Sequence, residues 1–153
     1  LIRRAEISDI HTILRLAHEV HSRSIYKNIK TDDTIFKKTC AFSIGSRQMF
    51  LWVSERAGEV NGFLLGGVDE IGIPGVKGRQ ASDILFYVRE GGEGLALARR
   101  FIQWGWKQPN VEMVGLANSS GIETERVNRM IKRMGMNPTV TVFLQFREDK
   151  RDV

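Results

Sequence analysis

Two hydrophobic rhythms alternate along this chain, one helical and one strand-like. Ile10, Ile13, Leu14, Ala17 and Val20 recur at helical spacing, with Ser8 where a helix cap belongs. A polar link, Ser22 to Lys30, leads to Thr31-Asp-Asp33, a second capping signal. The helix after it carries Ile35, Phe36, Cys40 and Phe42 to about Ile44, and Gly45 is its natural stop. Leu1 to Arg4 reads as a short strand, and Gln48 to Glu55 and Val60 to Val68 as a hairpin around Arg56-Ala-Gly-Glu59. A glycine-rich loop, Asp69 to Gly78, precedes the strand around which the chain is organised, Asp83 to Val88. A helix then runs from Leu95 to Lys107, with Leu95, Ala98, Ile102 and Trp106 on one face and Arg99, Gln103 and Lys107 opposite. Val111 to Ala117 reads as a strand, and Glu123 to Met134 as a helix aligning Val127, Met130, Ile131 and Met134. Gly135 closes that helix, and Thr139 to Phe146 is predicted to be a final strand. The order is β-α-α-β-β-β-α-β-α-β. A hairpin in mid-chain makes the sheet mixed, so the fold class is α/β with about four flanking helices.

The organising strand runs straight into Arg89-Glu-Gly-Gly-Glu-Gly94. Glycines that open a helix leave backbone N–H groups pointing the same way as the helix dipole, which suits an anion such as a phosphate. The competing reading is a tight connection and nothing more. No Gly-Lys-Ser/Thr follows, so this is not a P-loop. No βαβ unit begins the chain, so it is not a dinucleotide fingerprint.

With 153 residues, 42% of them hydrophobic, the chain has enough length for one domain with a sizeable core. That domain is expected over residues 1–146, followed by a charged tail, Arg147 to Val153. The first residue is Leu1 rather than Met. A net charge of +5 suits phosphate-bearing partners, but the basic residues are dispersed and form no nucleic-acid tail. Cys40 is the only cysteine, which favours a reducing, cytoplasmic setting. Neither a membrane span nor a signal peptide is expected.

Three side-chain groups bear on chemistry without deciding it. His11, His18 and His21 share one side of the first helix, and no ligand motif accompanies them, so no metal is expected. Arg126, Arg129 and Arg133 form a basic stripe on the last helix, read as a solvated face. Trp52, Trp104 and Trp106 read as packing residues rather than a base-stacking platform.

The element order, the length and Arg89-x-x-Gly92-x-Gly94 resemble the GNAT acyl-CoA N-acyltransferases, whose motif is Gln/Arg-x-x-Gly-x-Gly/Ala. Ile2-Arg-Arg-Ala-Glu-Ile-Ser-Asp9 looks like the family's opening strand and cap, and Met134-Gly135-Met136 like the Leu-Gly-Phe that ends its fourth helix. Gly91 to Trp104 looks like small acetyltransferases of tailed phages, which implies a host cytoplasm or a virion as the location. The resemblance implies acetyl-CoA as acyl donor and a primary amine, on a small molecule or a protein, as acceptor. Arg89, Gly91, Gly92, Gly94 and Leu95 would hold the diphosphate through backbone N–H groups, and the backbone of Phe86, Tyr87 and Val88 would pair with the pantetheine arm. The acceptor site would be shaped by Val20 to Asp33 and Asp69 to Gly78. Side-by-side homodimers are common among such proteins.

For the base, the resemblance favours Asp83 at the start of the organising strand, with Glu55 in reserve. Two departures stand out. Val88 abuts Arg89 where relatives keep several residues, and Ile131 stands where the family often has a general-acid tyrosine. A second reading follows from these departures: a GNAT-like domain that has lost turnover and serves as an interaction protein, in a virion for instance. Nucleic-acid binding ranks third.

Overall fold

The computed structural model describes residues 1–118 and 120–149. It is a five-stranded sheet with helices on both faces, which bears out the mixed α/β architecture. The elements are β1 (Ile2–Arg4), α1 (Ile10–Arg23), α2 (Asp33–Gly45), β2 (Met49–Arg56), β3 (Glu59–Glu70), β4 (Arg79–Val88), α3 (Gly94–Trp106), β5 (Val111–Gly115) and α4 (Thr124–Arg133). The strands lie side by side in chain order. β1 to β4 form an antiparallel meander, and α3 then crosses over to bring β5 parallel to β4.

Alternation along the strands divides the core in two. Leu51, Val53, Phe63 and Leu65 face α1 and α2, where they meet Ile13, Leu16, Ala17 and Cys40. Phe50, Leu64, Val68 and Ala81 face α3, where they meet Leu97 and Phe101. On that second face four rings interlock. Phe50 stacks on Trp52 at 5.6 Å between centroids, lies edge-on to Phe101 at 5.3 Å, and tilts against Trp104 at 5.4 Å. The Arg100 guanidinium sits over the Trp52 ring at 5.0 Å. Trp52 and Trp104 are therefore packing residues, as expected, whereas Trp106 is 56% exposed.

Four local expectations are corrected. The first-helix cap is not Ser8. A single 3₁₀ turn, Ile7–Asp9, precedes α1, and the Asp9 carboxylate accepts from the Glu6 N–H at 2.7 Å. In α2 the buried residues are Cys40 and Ser43, whereas Ile35 and Phe42 are 63% and 67% exposed. In α3 the inward face is Leu97, Ala98, Phe101 and Gly105, not Leu95, Ala98, Ile102 and Trp106. Gly105 sits flush on the sheet: a Cβ there would stand 2.9 Å from the Ala81 Cβ and 3.0 Å from a Val114 methyl. The large rings on β2 and the close approach at Gly105 set the roll of the helix.

The last correction concerns Thr139 to Phe146, which forms no strand here. Val140 and Phe143 are 80% and 92% exposed, and α4 buries no residue fully. Phe146 reaches across, edge-on to Tyr26 at 6.0 Å, and Asn28 donates to Glu148 at 3.0 Å. Of the expected charged tail, Arg147–Asp149 is a 3₁₀ turn, and residues 150–153 lie outside the described residues. Among the described residues no helix is long and apolar enough to cross a membrane.

Candidate active site

The site is organised by two features of β4. First, its pairing with β3 slips between Leu65 and Gly66: Leu65 faces Leu85, Gly66 faces Asp83, and Ile84 is left as the extra residue of a bulge. Second, its pairing with β5 ends early. Arg79 to Ser82 pair with Val111 to Gly115, after which the two strands part while β4 continues to Val88 along β3. From Asp83 onward β4 therefore presents an open backbone edge on the β5 side. Such an edge has N–H and C=O groups free to pair with an extended chain or amide-bearing arm.

Asp83 stands where the strands part. Its Oδ1 accepts from the Ala117 N–H at 2.8 Å, which ties the start of the opening together. Burial pushes its carboxyl up to about 6 from 3.8, and the hydrogen bonds from the backbone of Ala117 and Asp83 itself limit the rise. A carboxylate raised this far is a stronger base than an ordinary Asp and is still ionised at neutral pH.

The open edge leads to the glycine turn. The Arg89 N–H donates to Asn61 O at 2.9 Å, the Gly92 N–H to Arg89 O at 3.0 Å, and the Glu93 N–H to Ser54 Oγ at 3.1 Å. Those bonds shape the turn and occupy Arg89 and Gly92. The N–H groups of Gly91, Gly94, Leu95 and Ala96 have no acceptor among the described residues and crowd at the start of α3. Gly92 cannot be any other residue without rearrangement, since a Cβ would stand 2.1 Å from a Val88 methyl and 3.1 Å from Arg89 O. At Gly94 a Cβ would meet Val88 and Phe86 at ordinary contact distance, 3.6 and 3.7 Å. A pattern that demands Gly first and tolerates Gly or Ala two residues later has its reason here. Cations gather nearby: Arg56 Nη1 donates to Gly91 O at 3.4 Å, and Arg89 Nε meets Glu19 at 2.8 Å.

Glu55 lies elsewhere. It pairs with Arg3 at 2.6 Å, and Arg3 also holds Asp9 at 2.7 Å, so this trio fastens β1 and the turn before α1 to β2. The two carboxylates raise the Arg3 pKa, and Arg3 in turn lowers that of Asp9. Asp83 and Glu55 are thus not brought together, and only Asp83 stands at the opening.

On the α1 side of β4 lies a cavity of about 370 Å³ between α1, the link after it, the start of α2 and the bulge. Val20, Tyr26, Thr31, Asp32 and Asp33 line it, so the segment Val20 to Asp33 borders this cavity. Asp69 to Gly78 does not reach it. Glu70, Lys77 and Gly78 instead border a separate polar recess with Arg79, Asn110 and Glu112, where β4 begins. Of the three histidines, His18 and His21 line the cavity, and His18 Nε2 meets Asp33 Oδ1 at 2.8 Å. No cluster of His, Cys, Asp and Glu able to hold a metal occurs among the described residues. Arg126 and Arg129 pair with Glu123 and Glu125 on the exposed face of α4, and Ile131 is half-buried on the same helix. Sequence reasoning missed Ile84 and Ser120, whereas Asp32 and Asp33 fall in the segment it read as shaping the acceptor site. Asp32 also caps α2, accepting from the Ile35 N–H at 3.0 Å.

Solved structures share this fold over nearly the whole chain. The aminoglycoside N-acetyltransferase AAC(6')-Iy, solved with the bisubstrate analogue CoA-S-monomethyl-acetylneamine, superposes with a TM-score of 0.72 at 12% identity, covering 96% of this chain and 97% of that one. An aminoglycoside acetyltransferase from an uncultured soil metagenomic sample gives 0.65 at 12% identity, covering 95% and 96%. A possible acetyltransferase from Clostridium difficile 630 gives 0.67 at 13% identity, covering 96% of each chain. The fold is that of the GNAT acetyltransferases. No protein-family model matches the sequence, and no curated protein does either.

Proposed function

We propose that this chain is an N-acetyltransferase that moves an acetyl group from acetyl-CoA to a primary amine. The observation that carries the reading is the open edge of β4, which runs from a raised carboxylate at Asp83 to unpaired amides at the start of α3. The residues present fit the donor. Gly91, Gly94, Leu95 and Ala96 offer N–H groups to a diphosphate, Gly92 keeps the approach free of side chain, and Arg56 and Arg89 add positive charge. Phe86, Tyr87 and Val88 offer the backbone edge to the pantetheine arm. That AAC(6')-Iy was solved with a CoA conjugate supports this choice of donor.

Bound acetyl-CoA supplies a thioester carbonyl. The amine nitrogen bonds to that carbon, the C–S bond breaks, and the thiolate leaves. Asp83 takes the proton lost by the nitrogen, directly or through a water, and solvent protonates the thiolate. The second reading, a fold that binds the donor without turnover, rests on Ile131, which offers no hydroxyl where the family often has one.

Titration calorimetry with acetyl-CoA tests the donor site, and release of free thiol in the presence of amines tests turnover. Micromolar binding that disappears in Gly92→Trp supports the reading. Binding without thiol release for any amine selects the second reading, and no binding at all refutes both.

A further inference from the structure

We propose that the acceptor is a primary amine carried on a compact apolar body, an arylalkyl or branched alkyl amine, rather than a polyhydroxylated polyamine. This deepens the acetyltransferase reading and rests on it. The cavity of about 370 Å³ has walls of Leu14, Ala17, Val20, Phe36, Ile84 and Leu85. Among the described residues its acidic lining residues are Asp32 and Asp33, and no Lys or Arg lines it. His18 and His21 also line it, and His18 is taken up by Asp33, so Asp32 is the lining carboxylate left to meet a cation.

The acidic groups are held in place. Asp32 Oδ1 is committed to the Ile35 N–H at 3.0 Å, which leaves its other oxygen for a ligand, and Asp33 Oδ1 meets His18 Nε2 at 2.8 Å. The β4 bulge closes the wall with Ile84, the residue next to Asp83. An apolar body seated against Phe36, Leu85 and Ile84 therefore lies against the strand that carries Asp83. A sugar carrying several hydroxyls would lay them against that same wall, and each one left unpaired weakens binding by roughly ten-fold. The neamine conjugate bound by AAC(6')-Iy is thus the wrong shape of acceptor for this pocket, despite the shared fold.

The test is calorimetric titration of the full chain with 2-phenylethylamine, cyclohexylmethylamine and neamine, with acetyl-CoA affinity measured in parallel. Two variants accompany it. Asp32→Asn keeps the helix cap through its amide oxygen and removes the charge. Ile84→Lys sets a cation in the wall at a residue that is 58% exposed, and its melting temperature reports whether the fold is intact.

The expected result is that both apolar amines bind roughly ten-fold or more tightly than neamine. Asp32→Asn should weaken them by roughly three- to five-fold, and Ile84→Lys should abolish them. Acetyl-CoA affinity should be unchanged throughout. Neamine binding as tightly as 2-phenylethylamine, or apolar amines still binding to a folded Ile84→Lys, overturns the proposal. If no amine binds while acetyl-CoA does, the acceptor class is wrong and the acetyltransferase reading stands. If the apolar amines bind and acetyl-CoA does not, the pocket assignment stands and the acetyltransferase reading falls.

Discussion

Replacing Asp83 by Asn should stabilise the protein and disable it. Burial raises the carboxyl from 3.8 to about 6, which corresponds to about 3 kcal/mol of preference for the protonated form in the folded state. The sign follows from proton counting. Between the unfolded and folded pKa values the folded chain binds more protons than the unfolded one, so stability from this group falls as pH rises through that window. It is fully present below about pH 4 and lost above about pH 6. Asn is neutral at every pH, and its amide oxygen can still accept from the Ala117 N–H. Partial contact with water screens the charge, so Asp83→Asn should gain about 1–3 kcal/mol at pH 7.5. In a chain of this size that is roughly 2–10 °C in melting temperature. The gain should shrink toward zero as the pH is lowered to 4. In the turnover assay the natural chain should show kcat/KM falling below about pH 6. The variant should lose turnover by about 10²–10⁴-fold and lack that acidic limb. Thermal scans at pH 4.0 and 7.5 with a thiol-release profile decide the matter. A variant that melts lower than the natural chain at pH 7.5, or that turns over normally, refutes the account of Asp83.

Two other outcomes are expected. Glu55→Gln should leave kcat and its pH profile unchanged while lowering stability by about 1 kcal/mol, because Glu55 serves Arg3; an altered pH profile would make it the base instead. Phe101→Ala, which empties the centre of the ring cluster on α3, should cost about 3–5 kcal/mol in urea unfolding. A loss below about 1 kcal/mol would mean that the cluster is not the core it looks like.

The sequence shows which elements form more clearly than how they are rolled against one another. α3 carries two apolar stripes at helical spacing, Leu95-Ala98-Ile102-Trp106 and Leu97-Ala98-Phe101-Gly105, and nothing local chooses between them. The choice is made by Phe50 and Trp52 on β2, which receive Phe101 and Trp104, and by Val114, which leaves room only for Gly105. In α2 the same ambiguity left Phe42 outside, with Cys40 and Ser43 inside. Thr139 to Phe146 failed for another reason: a strand is a relation between two edges, and alternation of apolar residues states only one half of it.

The site was partly legible, because chemistry with strict backbone demands leaves glycines behind. Gly92 and Gly94 mark the amide cradle on sequence alone. The bulge that makes both the Asp83 position and the Ile84 wall also left a mark. Gly66 faces Asp83 across the slip, and a Cβ on Gly66 would stand 2.5 Å from the Phe101 ring and 2.9 Å from Ser82 O. Tandem glycines inside a strand, Gly66-Gly67, are such a signal. They place the irregularity on the pair of strands but do not say which residue of the partner is pushed out. That it is Ile84, one position from Asp83, joins the proposed acceptor wall to the proposed base in a single backbone feature. Restoring regular pairing there should therefore impair amine binding and proton transfer together.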